Sequence, residues 1–251
     1  MLQVSQLRKR FKNHEVLRGI DISVAAGEVL GIIGASGSGK STLLRCINFL
    51  ETPESGVITL DERSIDVSAL GKEDIRYMQR NTGMVFQGFN LFKYKTALEN
   101  ITEGLITVQR MPHRAAMELA ENLLDQVGML SHRDYYPSKK SGGQQQRVAI
   151  ARSLALKPRA LLFDEPTSAL DPETIGEVLS VIKQIAAARE HAVIIVSHEM
   201  SFIYEIADRV AFMDGGEILE YGTPLDVFGA PRTERARQFV SRINLGNNYV
   251  I

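Results

Sequence analysis

Gly34-Ala35-Ser36-Gly37-Ser38-Gly39-Lys40-Ser41 has the residue types and spacing of a phosphate-binding loop. Glycines so placed let successive backbone N–H groups turn inward around phosphate oxygens, and a following helix N-terminus adds positive potential. Lys40 can reach the β- and γ-phosphates of a nucleoside triphosphate, and Ser41 can ligate Mg²⁺. A glycine-rich turn that binds nothing is the alternative. The full eight-residue match, set between an apolar run and a helical run, weighs against it. Downstream, the apolar run Ala160-Leu161-Leu162-Phe163 delivers Asp164 and Glu165. Asp164 suits Mg²⁺, held through water, and Glu165 suits an attacking water. Adjacent carboxylates favour hydrolysis over transfer to a bound acceptor. The third element is Ser141-Gly142-Gly143-Gln144, ahead of a helical run with Val148, Ala151, Leu154 and Ala155 on one face and Pro158 as its stop. Ser141 at the N-cap, with the first free N–H groups, makes a second phosphate site. One nucleotide rarely needs two such sites in one chain, so the second is expected to serve a nucleotide held by another copy.

These groups need strands and helices to place them. Residues 29–33 read as a buried strand and residues 40–50 as the helix after the loop. Pro53-Glu54-Ser55-Gly56 is turn chemistry, with a returning strand at 57–60. Residues 84–86, 160–163 and 192–196 are apolar runs of the kind covered on both faces of a parallel sheet. Residues 210–213 and 218–221 flank Asp214-Gly215-Gly216, a hairpin signal. From Phe89 to about Lys140 the periodicity is helical. Thr96 and Glu99 form a capping box, and Met117, Ala120, Leu123, Leu124 and Val127 share a face that Gly128 ends. Alternating strands and helices predict an α/β domain with a helical insertion.

Composition narrows the function. Apolar residues are 44% and charged residues 24%, which argues against disorder. The 29 basic and 30 acidic residues leave a net charge of -1, with no global pull toward nucleic acid or anionic membrane. A single cysteine, Cys46, allows no intrachain disulfide and fits a reducing compartment. No apolar run approaches the roughly 20 residues of a membrane span, and the first ten residues lack the apolar stretch of a signal peptide. A cytosolic protein of one domain is expected.

The sequence resembles the ATP-binding subunits of ABC transporters over nearly the whole chain. The match comprises the phosphate loop, Gln87 after a short apolar run, Ser141-Gly142-Gly143-Gln144-Gln145, Leu161 to Pro166, Ser168-Ala169-Leu170-Asp171, and His198 after Ile194-Ile195-Val196-Ser197, all in the family's order. The resemblance implies a RecA-like P-loop NTPase core with an antiparallel β subdomain and an inserted α-helical subdomain. Its parts are expected at 1–88 and 141–230 for the core, 89–140 for the helical subdomain and 231–251 for the tail. It implies ATP and Mg²⁺ as ligands. Phe11 stacks on adenine, and Val16, Gly34 to Ser41 and Thr42 surround the nucleotide. Gln87 senses Mg²⁺ and the attacking water and links the site to the membrane partner. Ser41 and Asp164 join Gln87 around the metal, Glu165 serves the water, and His198 contacts the γ-phosphate. Ser141, Gly143, Gln144 and Asp171 face the partner copy's nucleotide.

Within the family, residues 83–92, 96–101, 141–152 and Ser197-His198-Glu199-Met200 resemble the polar amino acid importers, as does the short tail. The implied protein is a homodimeric ATPase that energises a membrane permease fed by a solute-binding protein. It sits at the cytoplasmic face of the cell membrane and binds no nucleic acid. The alternative is an ABC-type ATPase acting on nucleic acid or ribosomes; relatives of that kind carry a long coiled-coil insertion or two cassettes. Three residues depart from the pattern: Ala35 and Lys93 where proline is common, and Lys140 where leucine usually begins the signature. A cation at 140 either approaches phosphate or replaces apolar packing. His14, His113, His132 and His191 have no metal spacing and read as surface. Arg232, Arg235, Arg237 and Arg242 around Ala236, Phe239, Val240 and Ile243 read as a docked terminal helix with a charged outer face.

Overall fold

The structure is a computed structural model that describes residues 1–242. The chain opens with strands β1 (Leu2–Phe11), β2 (His14–Val24) and β3 (Val29–Ile33), followed by helix α1 (Lys40–Ile47). Strands β4 (Ser55–Leu60) and β5 (Arg63–Asp66) precede α2 (Lys72–Asn81) and β6 (Thr82–Val85). Helices α3 (Ala97–Thr107), α4 (His113–Gln126) and α5 (Gly142–Ala155) then lead to β7 (Ala160–Asp164). The remainder is α6 (Pro172–Ala187), β8 (Ala192–Val196), α7 (Met200–Ile206), β9 (Arg209–Asp214), β10 (Glu217–Gly222) and α8 (Glu234–Arg242).

Two sheets form. One is antiparallel, in the order β2-β1-β4-β5; the other runs β10-β9-β3-β8-β7-β6. In the second, β9, β3, β8, β7 and β6 are parallel and β10 turns back against β9. Every residue of β3, β6, β7 and β8 is buried, because both faces of these strands are covered. The two-residue alternation divides them. Ile33, Leu161, Phe163, Val193 and Ile195 pack against α3, α4, α5 and α6. Leu30, Ile32, Leu162, Ile194 and Val196 face the antiparallel sheet and α1. The parallel register pairs Val85 with Phe163, Phe163 with Ile195 and Ile32 with Val196. Four neighbouring strands therefore end at one level, and their following loops open on one edge.

Several sequence boundaries shift. The strand expected at 84–86 lies at Thr82–Val85, and the helix expected over 40–50 ends at Ile47. Phe49 takes a φ of 53°, which an α-helix cannot continue. The strand expected at 57–60 begins at Ser55. The helical stretch resolves into α3 and α4, with short 3₁₀ turns at Leu130–His132 and Pro137–Lys139. Thr96 caps α3: its Oγ1 accepts from Glu99 N at 3.2 Å while Glu99 Oε2 accepts from Thr96 N at 2.7 Å. His132 and His191 are half-buried rather than surface groups, and His191 Nδ1 lies 2.7 Å from the Pro158 carbonyl oxygen. On α8, Ala236 is fully buried and Phe239 stands 5.2 Å from Phe212, while Ile243 lies outside the described residues.

Candidate active site

The four strand ends carry the residues with chemistry. The end of β3 runs into the glycine loop and α1; β7 ends in Asp164 and Glu165; β8 is followed by His198; β6 is followed by Gln87. Parallel α/β sheets bind ligands at this edge. Gly34 is required by close approach: with φ 144°, a Cβ there would stand 2.0 Å from the Met213 carbonyl oxygen. Gly39, with φ 104°, ends the loop against the Val16 carbonyl, and so brings β2 to the base of the cradle. Ala35, Ser36 and Gly37 are exposed, whereas Ser38 is buried and its Oγ has no hydrogen-bond partner.

Lys40 is buried at the first turn of α1, and its Nζ donates to the carbonyls of Gly34 at 2.9 Å and Ala35 at 2.8 Å. Burial lowers its pKa, opposed by the nearby carboxylates of Glu165 and Asp164. Ser41 Oγ donates to Asp164 Oδ1 at 2.6 Å, and Arg45 stands 3.9 Å from the other oxygen. Burial raises the pKa of Asp164, with the Ser41 hydrogen bond and Arg45 acting against it. Thr42 is half-buried on the same helix. Glu165 turns into the left-handed region at φ 48°, a conformation that costs a non-glycine residue about 1–3 kcal/mol. Its N–H donates to Val196 O at 3.0 Å, which fixes the turn to the neighbouring strand. Its Oε1 lies 2.9 Å from His198 Nε2. Ser41 with Asp164 and Glu165 with His198 thus form two bonded pairs at adjacent strand ends.

The donors suit the expected ligands. A hydroxyl beside a carboxylate is the hard-oxygen set from which Mg²⁺ takes one or two protein ligands, with phosphates and water completing its shell. Among the described residues no group of three or more His, Cys, Asp or Glu forms a metal site by itself. The orphaned Ser38 hydroxyl and the loop that admits no Cβ at Gly34 suit a phosphate chain. Phe11 is 42% exposed at the end of β1, and Lys9 Nζ lies 4.6 Å from its ring centroid.

Ser141 and its neighbours form a separate cluster. Ser141 is the N-cap of α5: its Oγ accepts from Gln144 N at 3.3 Å, and Gln144 Oε1 accepts from Ser141 N at 3.1 Å. A Cβ at Gly143 would meet Thr174 at 2.8 Å and one at Gly142 would meet Leu170 at 3.0 Å, so the start of α5 abuts the start of α6, where Asp171 is the exposed N-cap. Among the described residues, no hydrogen bond or ion pair joins residues 141–144 to residues 34–42. Lys140 turns inward: its Nζ donates to the Tyr135 carbonyl, and burial pushes its pKa down to about 8. Of the two expectations for that cation, the structure has the packed one.

Residues 17–168 match the family described as ABC transporter. The chain belongs to the ABC transporter family. It is an ATPase subunit of the ABC type. Its ABC relatives include the glutamine transport ATP-binding protein GlnQ of Geobacillus stearothermophilus, 51% identical over 97% of this chain and 99% of the relative. The L-cystine import ATP-binding protein TcyC of Bacillus subtilis is 50% identical over 97% of this chain and 98% of the relative. Among solved ABC cassettes, a dimeric post-hydrolysis structure of MJ0796 bound to ADP and Pi superposes with TM-score 0.79 at 31% identity, covering 89% of this chain and 99% of that one. No helix among the described residues is long and apolar enough to cross a membrane.

Three residues that contact the candidate site or its loops were given no role from the sequence. Arg45 beside Asp164 gives no signal, since a basic residue in the last turn of a helix is ordinary. Gln146 is fully buried and donates from Nε2 to the Phe86 carbonyl at 3.1 Å. Its signal was present: it precedes the buried Ile150 by four residues, a polar residue on the apolar stripe of α5. Arg152 donates to the Asn90 carbonyl at 2.8 Å, and its spacing alone does not foretell that contact.

Proposed function

We propose that the chain energises an importer of polar amino acids, as a peripheral subunit at the cytoplasmic face of the membrane. Two copies sandwich two nucleotides. In each site the glycine loop and Lys40 of one copy hold the phosphates, Phe11 and Val16 lie at the base and ribose end, and Ser141, Gly143, Gln144 and Asp171 of the other copy close over the γ-phosphate. Ser41, Asp164 and Gln87 would hold Mg²⁺, which neutralises charge on the phosphates when bound. Glu165 polarises the attacking water, and His198, bonded to Glu165, orients it and meets the γ-phosphate.

The observation that carries this reading is the pairing of Ser41 with Asp164 at 2.6 Å and Glu165 with His198 at 2.9 Å on adjacent strand ends. A metal-side pair and a water-side pair are what hydrolysis needs, and a phosphoryl acceptor is not. Support for the substrate class comes from the relatives, whose names cover glutamine and L-cystine at nearly equal identity. Selectivity therefore belongs to the permease and the solute-binding protein.

The permease is proposed to dock beside β6 and α3. A groove of about 440 Å³ there is lined by Met84, Phe86, Phe92, Ile101 and Arg152, and next to it Phe92 is 49% and Tyr94 92% exposed. Lys93 lies between them, where a solvated cation is tolerated. The test is co-expression with an amino-acid importer's permease and solute-binding protein, followed by reconstitution in vesicles. ATP-dependent uptake of a polar amino acid is expected. ATP hydrolysis that responds to DNA or ribosomes, and not to the permease, would refute the reading.

A further inference from the structure

Gln87 sits in a loop whose backbone is not relaxed. Phe89 and Asn90, two and three residues beyond it, are both left-handed at φ 53°, and the Asn90 N–H folds back onto the Gly88 carbonyl at 2.5 Å. Consecutive left-handed residues without glycine persist only where the surroundings hold them. Asn100 of α3 holds the far end of the loop, accepting from Phe92 N at 2.7 Å, and α5 holds the part around Gln87. Gln146 Nε2 holds the Phe86 carbonyl, immediately before Gln87, at 3.1 Å. Arg152 Nη1 holds the Asn90 carbonyl at 2.8 Å. Ser153 Oγ holds the Met84 carbonyl at 3.1 Å on the strand leading in. The three donors lie along α5, whose N-cap is Ser141.

We propose that Gln146 and Arg152 are positioning residues for Gln87: they clamp the carbonyls at the two ends of the strained loop and so set where Gln87 stands relative to the metal and water. This rests on the role assigned to Gln87 above. Two features favour positioning over mere packing. Gln146 is fully buried, yet its Oε1 has no partner, so a polar amide is kept on an apolar stripe for one bond, the one to the Gln87 loop. And both clamps grip carbonyls of the loop, at either side of Gln87. The helix that begins at the partner-facing signature is therefore the helix that holds the metal-sensing loop.

The test uses the full-length chain at concentrations where it hydrolyses ATP. Gln146→Met removes the unpaired Oε1 but also strips the Phe86 carbonyl of its donor, a loss of about 1–3 kcal/mol. Its Tm is therefore expected to fall by about 2–10 °C, with the chain still folded at the assay temperature. Its kcat should fall roughly tenfold, and the Mg²⁺ concentration for half-maximal rate should rise severalfold, as expected when the placement of a metal- and water-contacting side chain is loosened. The affinity for a fluorescent ATP analogue in EDTA should stay within about twofold, because phosphate contacts are untouched. Gln146→Met added to Gln87→Ala should cost nothing more, since coupled residues are not additive. Arg152→Gln probes the other clamp and should give the same Mg²⁺-dependent defect; it carries the test if Gln146→Met does not fold. Wild-type rate and Mg²⁺ dependence in the folded variant, or losses that multiply with Gln87→Ala, overturn the clamp while leaving the role of Gln87 intact. Wild-type behaviour of Gln87→Ala itself overturns both.

Discussion

Lys40 and Lys140 are both buried cations, each beside one of the two proposed phosphate sites, and they are held in opposite ways. Lys40 lies at the strand-end site, where two loop carbonyls accept its protons and the carboxylates of Asp164 and Glu165 offset the loss of water. Lys140 lies one residue before the signature and donates to the Tyr135 carbonyl, with the Tyr135 ring 5.6 Å away; burial alone drives its pKa to about 8. The first region is loaded with opposed charges at the ends of four fully buried strands, so its groups are fixed before anything binds. The second is a helix start whose Ser141 and Gln144 cap each other, with Ser141 exposed, Gly143 buried and Asp171 at the neighbouring helix start. The contrast supports the proposal that one region does the chemistry and the other is brought to it by a second copy.

The largest expected effect falls on the loaded region. Glu165→Gln keeps the phosphate cradle and the His198 contact but removes the carboxylate. Steady-state turnover should drop by about 10²–10⁴, while ATP binding persists and size-exclusion chromatography with ATP gives a dimer. Near-normal turnover would mean that Glu165 is not the water's partner and that the contrast is misdrawn.

Next comes the face where the permease is proposed to bind. Tyr94 is 92% exposed just before α3, so its removal leaves the strand-end pairs in place. In the reconstituted complex, Tyr94→Ala should lower the ratio of permease-stimulated to basal hydrolysis roughly tenfold, the scale of an interface hot spot of one to two kcal/mol. Loss of basal rate with an unchanged ratio would remove Tyr94 from coupling.

The smallest effect concerns Lys140 and is one of stability. Its pKa is about 8 in the folded chain and about 10.4 when unfolded. Between those values the unfolded state binds more protons, so this group makes stability rise with pH across that window. At pH 7 the buried ammonium is a cost, and Lys140→Leu should raise Tm by about 2 °C. The gain should shrink between pH 8 and pH 10 in differential scanning. A gain independent of pH would show that packing, and not charge, separates the two lysines.

Legibility in the sequence followed the same division. The loop of residues 34–41 and the Asp164-Glu165 pair stand next to continuous apolar runs, and a strand covered on both faces writes itself into sequence directly. The N-terminal hairpin of β1 and β2 went unread as a pattern, because its alternation is broken at Gln6, φ 50°, with register shifts from Val4 to Leu7; only the family resemblance supplied it. Residues 89–96, expected within the helical stretch, form a loop before α3: Phe89 holds a left-handed conformation that its residue type disfavours, and Arg152 of α5 holds the Asn90 carbonyl beside it. The capping boxes at Thr96 and Ser141 were readable because both partners lie within four residues. Lys140 was ambiguous since its environment is set by Tyr135, a backbone carbonyl that no spacing rule reports.

Each active site is proposed to take its loaded half from one copy and its signature half from the other. Lys40→Ala, which removes the phosphate-bound ammonium, and Ser141→Arg, which blocks the signature face, should each be inactive. Mixed, with heterodimers isolated by differential tags, they put both lesions into one site and leave the second site with an intact loop and an intact signature. The heterodimer is expected to regain one high-affinity ATP site and measurable hydrolysis from two dead proteins. A tag-purified heterodimer with no intact ATP site would contradict it, and would place both motifs on one nucleotide within a single chain.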